Sequence, residues 1–409
     1  MTMIVCLSLL WSQVIRPQAV DLPFTLEAEY VYMINIDTDE IIYEKNAYDK
    51  MYPASMTKIM SAIVAIEAID DLHQTITITP KMMAGLYEAN ASMAGFNVYD
   101  EVTYEDLLYG VMLPSGAECT QALAYSLFGS EEAFVAAMND KAQALGMDNT
   151  HFVNTTGLHD ANHYSTCYDL SLLLRYAIQD PTFYQIFTTK EYISTNGLKM
   201  RSSSLSYLGK GAHMVGGKTG FTNPAGRCLA SISQGNERYM IILGKAPNDA
   251  AISKALVESN QLYDYIYDNY HYEMLYAQDE IIKEVHVKYS LSNYEYAIKA
   301  PKDMGLTTYN DYTLEVKIPD ELIAPLNEGD ELGKIVVKGA DGMESTFVIV
   351  ANETIETNVL IKLFWPVLVF SLENPHAMIN IIIIAVLLII IYRLAKGMNK
   401  NKPKVKNKC

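Results

Sequence analysis

Residues 377–392 read AMINIIIIAVLLIIIY, an apolar run in which Asn380 is the only polar side chain, and Arg393 and a lysine-rich tail follow at once. As a helix the run covers roughly 24 Å, a little less than the ~30 Å hydrocarbon core of a bilayer, so flanking residues or local thinning make up the difference. The pattern predicts a transmembrane helix over 377–394 and a basic cytoplasmic tail over 395–409, because positive charge marks the cytoplasmic side. Everything before the span is then extracytoplasmic, held in the cell membrane by a single C-terminal anchor. From Arg393 onward there are seven basic residues and no acid, which leaves 24 basic against 48 acidic residues before it. With a net charge of −17 over the whole chain, the acidic body excludes a nucleic-acid-binding protein, which needs a basic face. Residues 357–376 carry Lys362, Pro366 and Glu373-Asn374-Pro375 among apolar side chains, and read as a membrane-proximal segment lying at the surface.

At the other end, residues 3–15 have the length of a signal-peptide apolar region, with no basic residue before it and no clear small-x-small site after it. They read as an export signal that has lost its start, so residues 1–22 are set apart from the fold. At 409 residues the chain is long enough for two folded units between these ends. The five cysteines show no CxxC spacing and fit neither a disulfide framework nor a metal site.

Residues 29–36 and 40–44 are rich in β-branched and aromatic side chains around Asp37-Thr38-Asp39, and predict a hairpin. Helices are expected over 55–69, 103–113 (Thr103 with Asp106 three positions on), 130–145 (from Ser130 to a stop at Gly146), 166–178 and 250–268. A second hairpin is expected over 228–233 and 238–244. Strands at both ends of this stretch with helices between them predict one sheet whose edges come from distant parts of the chain. Beyond about residue 275, β-formers cluster at 284–289, 312–318, 334–338 and 346–351, the pattern of a small all-β unit. The expected domains are therefore 23–272 and 273–356.

Three short motifs carry chemistry. In Ser55-Met56-Thr57-Lys58, at the start of a predicted helix, the lysine at i+3 shares a face with the serine. A serine hydroxyl is a weak nucleophile until a base takes its proton, and a desolvated lysine amine beside another cation can be that base. Lys218-Thr219-Gly220, inside GGKTGFT, offers a cation and a hydroxyl to a carboxylate where flanking glycines permit close backbone approach. Between them lies Leu113-Pro114-Ser115-Gly116, a loop-to-helix junction with a serine. An S-x-x-K, a serine loop and a K-T-G in this order are the pattern of penicillin-binding proteins and class A β-lactamases.

The chain resembles the serine-type D-alanyl-D-alanine carboxypeptidases, the low-molecular-mass penicillin-binding proteins of peptidase family S11. The likeness extends over YPASMTKIM (52–60), VTYEDLLYGVMLPSG (102–116), GMDNTHFVNTTGLHDANHYSTCYDL (146–170) and GGKTGFTNPAGRCL (216–229), and covers roughly residues 27–270. It implies an α+β fold: a β-lactamase/transpeptidase-like catalytic domain, an antiparallel sheet with helices on both faces, followed by a small all-β sandwich domain and the C-terminal transmembrane helix. It also implies that Ser55 is acylated, that Lys58 is its general base, and that Ser115 relays a proton to the leaving D-alanine. Lys218 and Thr219 would hold the terminal carboxylate, with Gly220 and Phe221 completing the substrate site and the Ser55 and Phe221 amides forming the oxyanion hole. The implied substrate is the D-Ala-D-Ala end of a peptidoglycan pentapeptide, the implied inhibitors are β-lactams, and no metal or cofactor is needed.

One departure from the family pattern is Ala117, where the second motif usually has asparagine; Glu118 follows and could in principle substitute for it, but as the next helical residue it is expected to face solvent. Two alternatives stay open: a β-lactamase, although no Glu-x-x-Leu-Asn stretch supplies a deacylating base, and a catalytically impaired wall-binding homologue, because of Ala117. Asp169 either orients the site or serves as a cap or surface partner. His151, His159 and His163 fit no zinc pattern and are expected to pack loops.

Overall fold

The computed structural model describes residues 20, 22–209, 212–249, 252–290, 294–340, 342 and 344–358, with isolated positions between 363 and 393. Its centre is a five-stranded antiparallel sheet. The N-terminal hairpin, β1 (Tyr30–Asn35) and β2 (Ile41–Lys45), meets three later strands, β3 (Met214–Thr222), β4 (Gly226–Ser233) and β5 (Tyr239–Ala246), in the order β2-β1-β5-β4-β3. The two edges do come from distant parts of the chain. Side chains alternate across each strand, so one strand feeds two cores. Tyr32 and Ile34 of β1, with Met240 and Ile242 of β5, enter one core, and Val31, Met33, Ile241 and Leu243 enter the other. Because both faces are covered, β5 reads YMIILGKA, with no alternation of polar residues to expose its period.

The larger core is filled by α1 (Thr57–Ala68), α2 (Tyr104–Met112), α3 (Ala117–Phe128), α4 (Glu131–Ala144) and α5 (Cys167–Ala177). The expected start signals are in place. Thr103 and Asp106 exchange hydrogen bonds in a capping box, Ser130 accepts from the Ala133 amide and Thr166 from that of Asp169. On the opposite face α6 (Lys254–Asn269) buries Leu262, Tyr263 and Ile266. It starts later than the expected residue 250, with Ser253 at its N-cap position. Helix α3 was visible in the sequence only as a junction, since its first turn, Ala117-Glu118-Cys119, has no capping side chain at Gly116.

Between α6 and residue 358 the regular elements among the described residues are all β. β6 (Tyr270–Tyr276) pairs with β9 (Met304–Tyr309); β7 (Ile281–Lys288) lies between β8 (Tyr294–Lys299) and β11 (Glu321–Ile323); and β12 (Glu331–Gly339) lies between β10 (Tyr312–Lys317) and β13 (Glu344–Val350). Val285, Tyr296, Ile335 and Ile349 centre their core. β6 runs directly on from α6 and crosses the boundary expected between 272 and 273. β6, β8, β9 and β11 were not anticipated, because their sequences mix polar and apolar side chains without a clean period. Val20, inside the stretch set apart as signal, is buried and donates to the Ile42 carbonyl (3.0 Å), so ordered packing reaches further back than residue 23. No helix among the described residues is long and apolar enough to cross a membrane. The expected span 377–394, the basic tail and most of the membrane-proximal segment lie outside the described residues, isolated positions apart.

The β-rich part docks against the sheet through polar contacts. Glu40 accepts from the Thr307 amide (2.5 Å), Asn35 donates to the Thr307 hydroxyl (3.4 Å) and Glu237 accepts from the Tyr272 amide (2.5 Å). Burial, with the Glu237 charge adding to it and the Thr307 bonds opposing, raises the Glu40 carboxyl from 4.5 to about 7. The folded protein therefore holds this proton more tightly than the unfolded chain. The stability contributed by protonated Glu40 is present below about pH 4.5 and is lost as pH rises through about 7. Glu40→Gln, which keeps an acceptor for Thr307, is expected to melt with the parent near pH 4.5 and above it at pH 8. Parallel melting curves across that range would refute this linkage.

Candidate active site

Pro53 leads into a short turn, Ala54–Met56, in which Ala54 takes φ +47° before α1 begins. A non-glycine residue in the left-handed region stores of order 1–3 kcal/mol and persists only where its surroundings hold it. Here the hold is visible. The Thr57 hydroxyl donates to the Ala54 carbonyl (2.7 Å) and lies 2.7 Å from His163 Nε2, while His163 Nδ1 accepts from the Val153 amide (3.2 Å). With Nδ1 accepting, the neutral ring carries its hydrogen on Nε2 and donates it to Thr57. Burial, reinforced by the neighbouring His151, pulls His163 down to about 4, so the ring stays neutral at physiological pH. His163 thus packs a loop under the nucleophile turn. His159 sets its ring edge-on to Tyr52 (4.7 Å) and His151 bonds the Asn162 carbonyl (2.7 Å).

The i, i+3 relation brings Lys58 Nζ to 3.2 Å from Ser55 Oγ, and Nζ also donates to the Thr156 carbonyl (2.7 Å). Thr156 belongs to a turn shaped by Asn154, whose side-chain oxygen accepts from the Gly157 amide (2.8 Å). Gly157, at φ +81°, faces the Ala54 carbonyl so closely that a β-carbon there would lie 1.9 Å from its oxygen. Burial pulls the Lys58 amine down to about 8, against the opposing pull of Glu118 and Cys119. A lysine so placed is roughly one-tenth neutral at pH 7, hundreds of times more than an ordinary lysine, and is in contact with a hydroxyl, which is what proton abstraction from Ser55 requires.

Strand β3 supplies the facing wall. Gly220 lies against the nucleophile turn, a β-carbon there falling 3.0 Å from the Ser55 amide nitrogen, and so brings the Phe221 backbone alongside Ser55. Thr219 shares a hydrogen bond with Ser203 (2.6 Å). Lys218 is fully buried, donates to the Thr219 carbonyl (3.1 Å), and is pushed well below the ordinary lysine range by burial and by the Lys58 charge. Ser115, at φ +70°, is buried, and its hydroxyl has no partner among the described residues. A cleft of about 470 Å³ brings together Ser55, Ser115, Ser203, Thr219, Phe221 and Arg227, with Gly220 also on its wall. Arg227 lines that surface, and the buried Lys58 and Lys218 lie behind it. The Arg227 guanidinium stacks 4.6 Å over Phe221, and its Nε donates to Asn248 (2.6 Å).

The three motifs therefore converge, and Ser203 and Arg227 are the residues that sequence reasoning missed. Arg227 sits in the GGKTGFTNPAGRCL block and faces Phe221 in the β3–β4 register, a pairing that the hairpin signal could have exposed. Two expectations change. Glu118 does not face solvent: it is fully buried and accepts from the Ala94 (2.7 Å) and Gly95 (2.8 Å) amides. Asp169 is a buried structural acceptor for the Asn149 amide (2.9 Å) and the Thr150 hydroxyl (2.7 Å). Cys119, Cys167 and Cys228 are buried free thiols. No cluster of metal-ligating side chains occurs among the described residues.

The model of a family described as Peptidase S11, D-alanyl-D-alanine carboxypeptidase, matches residues 16–245. D-alanyl-D-alanine carboxypeptidase DacF of Bacillus subtilis is 31% identical over 331 residues, covering 76% of this chain and 82% of that protein. DacA of Haemophilus influenzae is 29% identical over 86% of this chain and 91% of its own. Among solved structures, penicillin binding protein 5 of Haemophilus influenzae superposes with a TM-score of 0.64 at 24% identity, over 82% of this chain and all of that one, which is a likeness of fold.

Proposed function

The chain belongs to the D-alanyl-D-alanine carboxypeptidase family, Peptidase S11, and on that premise we propose that it removes the terminal D-alanine from peptidoglycan stem peptides through an acyl-enzyme on Ser55. The observation that carries this reading is the 3.2 Å contact between Ser55 Oγ and the buried Lys58 amine at the floor of the cleft. Lys58 takes the hydroxyl proton as Ser55 attacks the carbonyl of the penultimate D-alanine. The Ser55 and Phe221 amides stabilise the oxyanion, each donor contributing roughly 3 kcal/mol where such donors have been removed from other acyl-transfer enzymes. Collapse of the tetrahedral intermediate breaks the peptide bond, and Ser115 relays the proton taken up by Lys58 to the departing amine, which returns Lys58 to its neutral form. Water then hydrolyses the ester, with Lys58 again the base.

The substrate's terminal carboxylate is met by the Thr219 and Ser203 hydroxyls and by Arg227. Lys218, buried behind them, donates to the Thr219 carbonyl and so orders the strand that carries the Thr219 hydroxyl. β-Lactams, which present a carboxylate and a strained amide in the same relation, are expected to acylate Ser55.

The membrane assignment is part of the proposal. It is supported by the apolar run at 377–392 and the seven basic residues that follow, and it places the catalytic part outside the cell with the β-rich part between it and the bilayer. The full-length protein in detergent should release one D-alanine per pentapeptide ending in D-Ala-D-Ala and take up one fluorescent penicillin. Neither event, in protein with a cooperative melting transition, would overturn the reading.

A further inference from the structure

The Ser115 loop lacks the side-chain amide that its motif usually carries one residue before Glu118, and Glu118 is turned inward. Its Oε1 gathers the amides of Ala94 and Gly95, at 2.7 and 2.8 Å. Its Oε2 is buried without a partner among the described residues, and lies 2.9 Å from where a β-carbon on Gly116 would be, so the carboxylate is wedged between the 90–95 segment and the Ser115 loop. The same two segments are joined by the Ala117 amide, which donates to the Ser92 carbonyl (2.8 Å). Asn90 and Ser92, at the near end of that segment, line the cleft with Ser55 and Ser115. A carboxylate wholly inside the protein is costly unless its bonds and charge serve the fold or the site.

We propose that Glu118 is a positioning residue for the acyl-transfer reaction: its buried carboxylate clamps the 90–95 segment, and with it Asn90 and Ser92, to the Ser115 loop where the motif's second polar side chain is replaced by Ala117. The inference rests on the carboxypeptidase reading. The charged and titratable groups around Lys58 are Glu118 and Cys119 at the start of α3 and Lys218 on β3. Around Cys119 they are Glu118, Lys58 and Asp106. Burial raises the Glu118 carboxyl, and the Gly95 and Ala94 amides oppose that rise. The Cys119 thiol is driven well above its ordinary value by burial and by the Glu118 charge, and so stays neutral. Glu118 is thus the carboxylate that favours the protonated form of Lys58.

The test is the second-order rate of penicillin acylation across pH 6–10, with the KM for a D-Ala-D-Ala pentapeptide, in the full-length parent, Glu118→Gln and Glu118→Asp. Removing the charge should favour neutral Lys58 and move the midpoint of the acidic limb down by about one unit in Glu118→Gln. Glu118→Asp keeps the charge and withdraws it by one methylene from the two amides. Its midpoint should stay with the parent while its KM rises several-fold as the 90–95 segment loosens. A Gln midpoint coincident with the parent, or the same shift in both variants, would overturn the proposal in favour of a merely structural acid. Should Glu118→Gln not fold, the Asp variant decides, and an unchanged KM there is the refuting result. A parent that is not acylated at all counts against the carboxypeptidase reading itself, which separates that failure from this one.

Discussion

Ser55→Ala will take up no fluorescent penicillin and will release D-alanine from a D-Ala-D-Ala pentapeptide about 10⁴-fold more slowly than the parent, or slower still. The size of the loss follows from the division of labour in the cleft. Thr219, Ser203 and Arg227 can still seat the terminal carboxylate and the Phe221 amide can still polarise the carbonyl, but among the described residues no other side chain is hydrogen-bonded to the Lys58 amine as Ser55 is at 3.2 Å. Lys58→Met should cost nearly as much, and the double variant little more than either, because nucleophile and base act as one unit. The parent supplies the matching pH signature. With Lys58 pulled to about 8, acylation should rise with pH and level off above that value, since only the neutral amine accepts the Ser55 proton. Labelling of Ser55→Ala at the parental rate, with the adduct mapping to Ser115 or Ser203, would move the nucleophile elsewhere in the same cleft. Mass spectrometry of the labelled peptide makes that distinction.

The contrast between motif and context explains what could be read from the chain in advance. Ser55 and Lys58 were legible because one helical turn fixes their relation, whatever the rest of the protein does. Thr103, Ser130 and Thr166 announced their helices because a cap is a local bond between residues three apart. The presence of Arg227 in the cleft was not legible. It depends on which face of β3 meets the core and on the strand register that sets Arg227 opposite Phe221. Glu118 was misread for a related reason. Position along α3 places it beside Ser115, but only the packing of the 90–95 segment against that helix turns its face inward. β1 with β2 and β4 with β5 were found as local hairpins of one sheet, but the pairing of β1 with β5 was not, since it joins residues more than two hundred positions apart. His163 was expected to pack a loop and does, but its place under Thr57 carried no signal, because it is made entirely by tertiary contact.

Gly157→Ala is expected to be the most damaging of the conservative substitutions outside the cleft-lining residues. At φ +81° an alanine bears left-handed strain of roughly 1–2 kcal/mol, and its β-carbon would fall 1.9 Å from the Ala54 carbonyl oxygen, 2.4 Å from the carbonyl carbon and 2.9 Å from the Ser55 amide nitrogen. All three are backbone atoms, so no side chain can swing aside. Either the 154–158 turn withdraws, taking the Thr156 carbonyl from Lys58, or the Ser55 turn is pushed out of register with Phe221. Both routes misplace reacting groups by about an ångström, a displacement that costs roughly 10²-fold in rate. Gly146→Ala is the matched control. Gly146 has φ +73° with nothing within 4 Å of the added carbon, so it carries the same conformational strain without the collision. Both variants should melt a few degrees below the parent. Only Gly157→Ala should lose acylation, and its residual acylation should fall in step with the loss of D-alanine release, because both need Ser55 and Lys58 in contact. Equal activity in the two variants would mean that the turn at 154–158 does not hold the catalytic lysine in place.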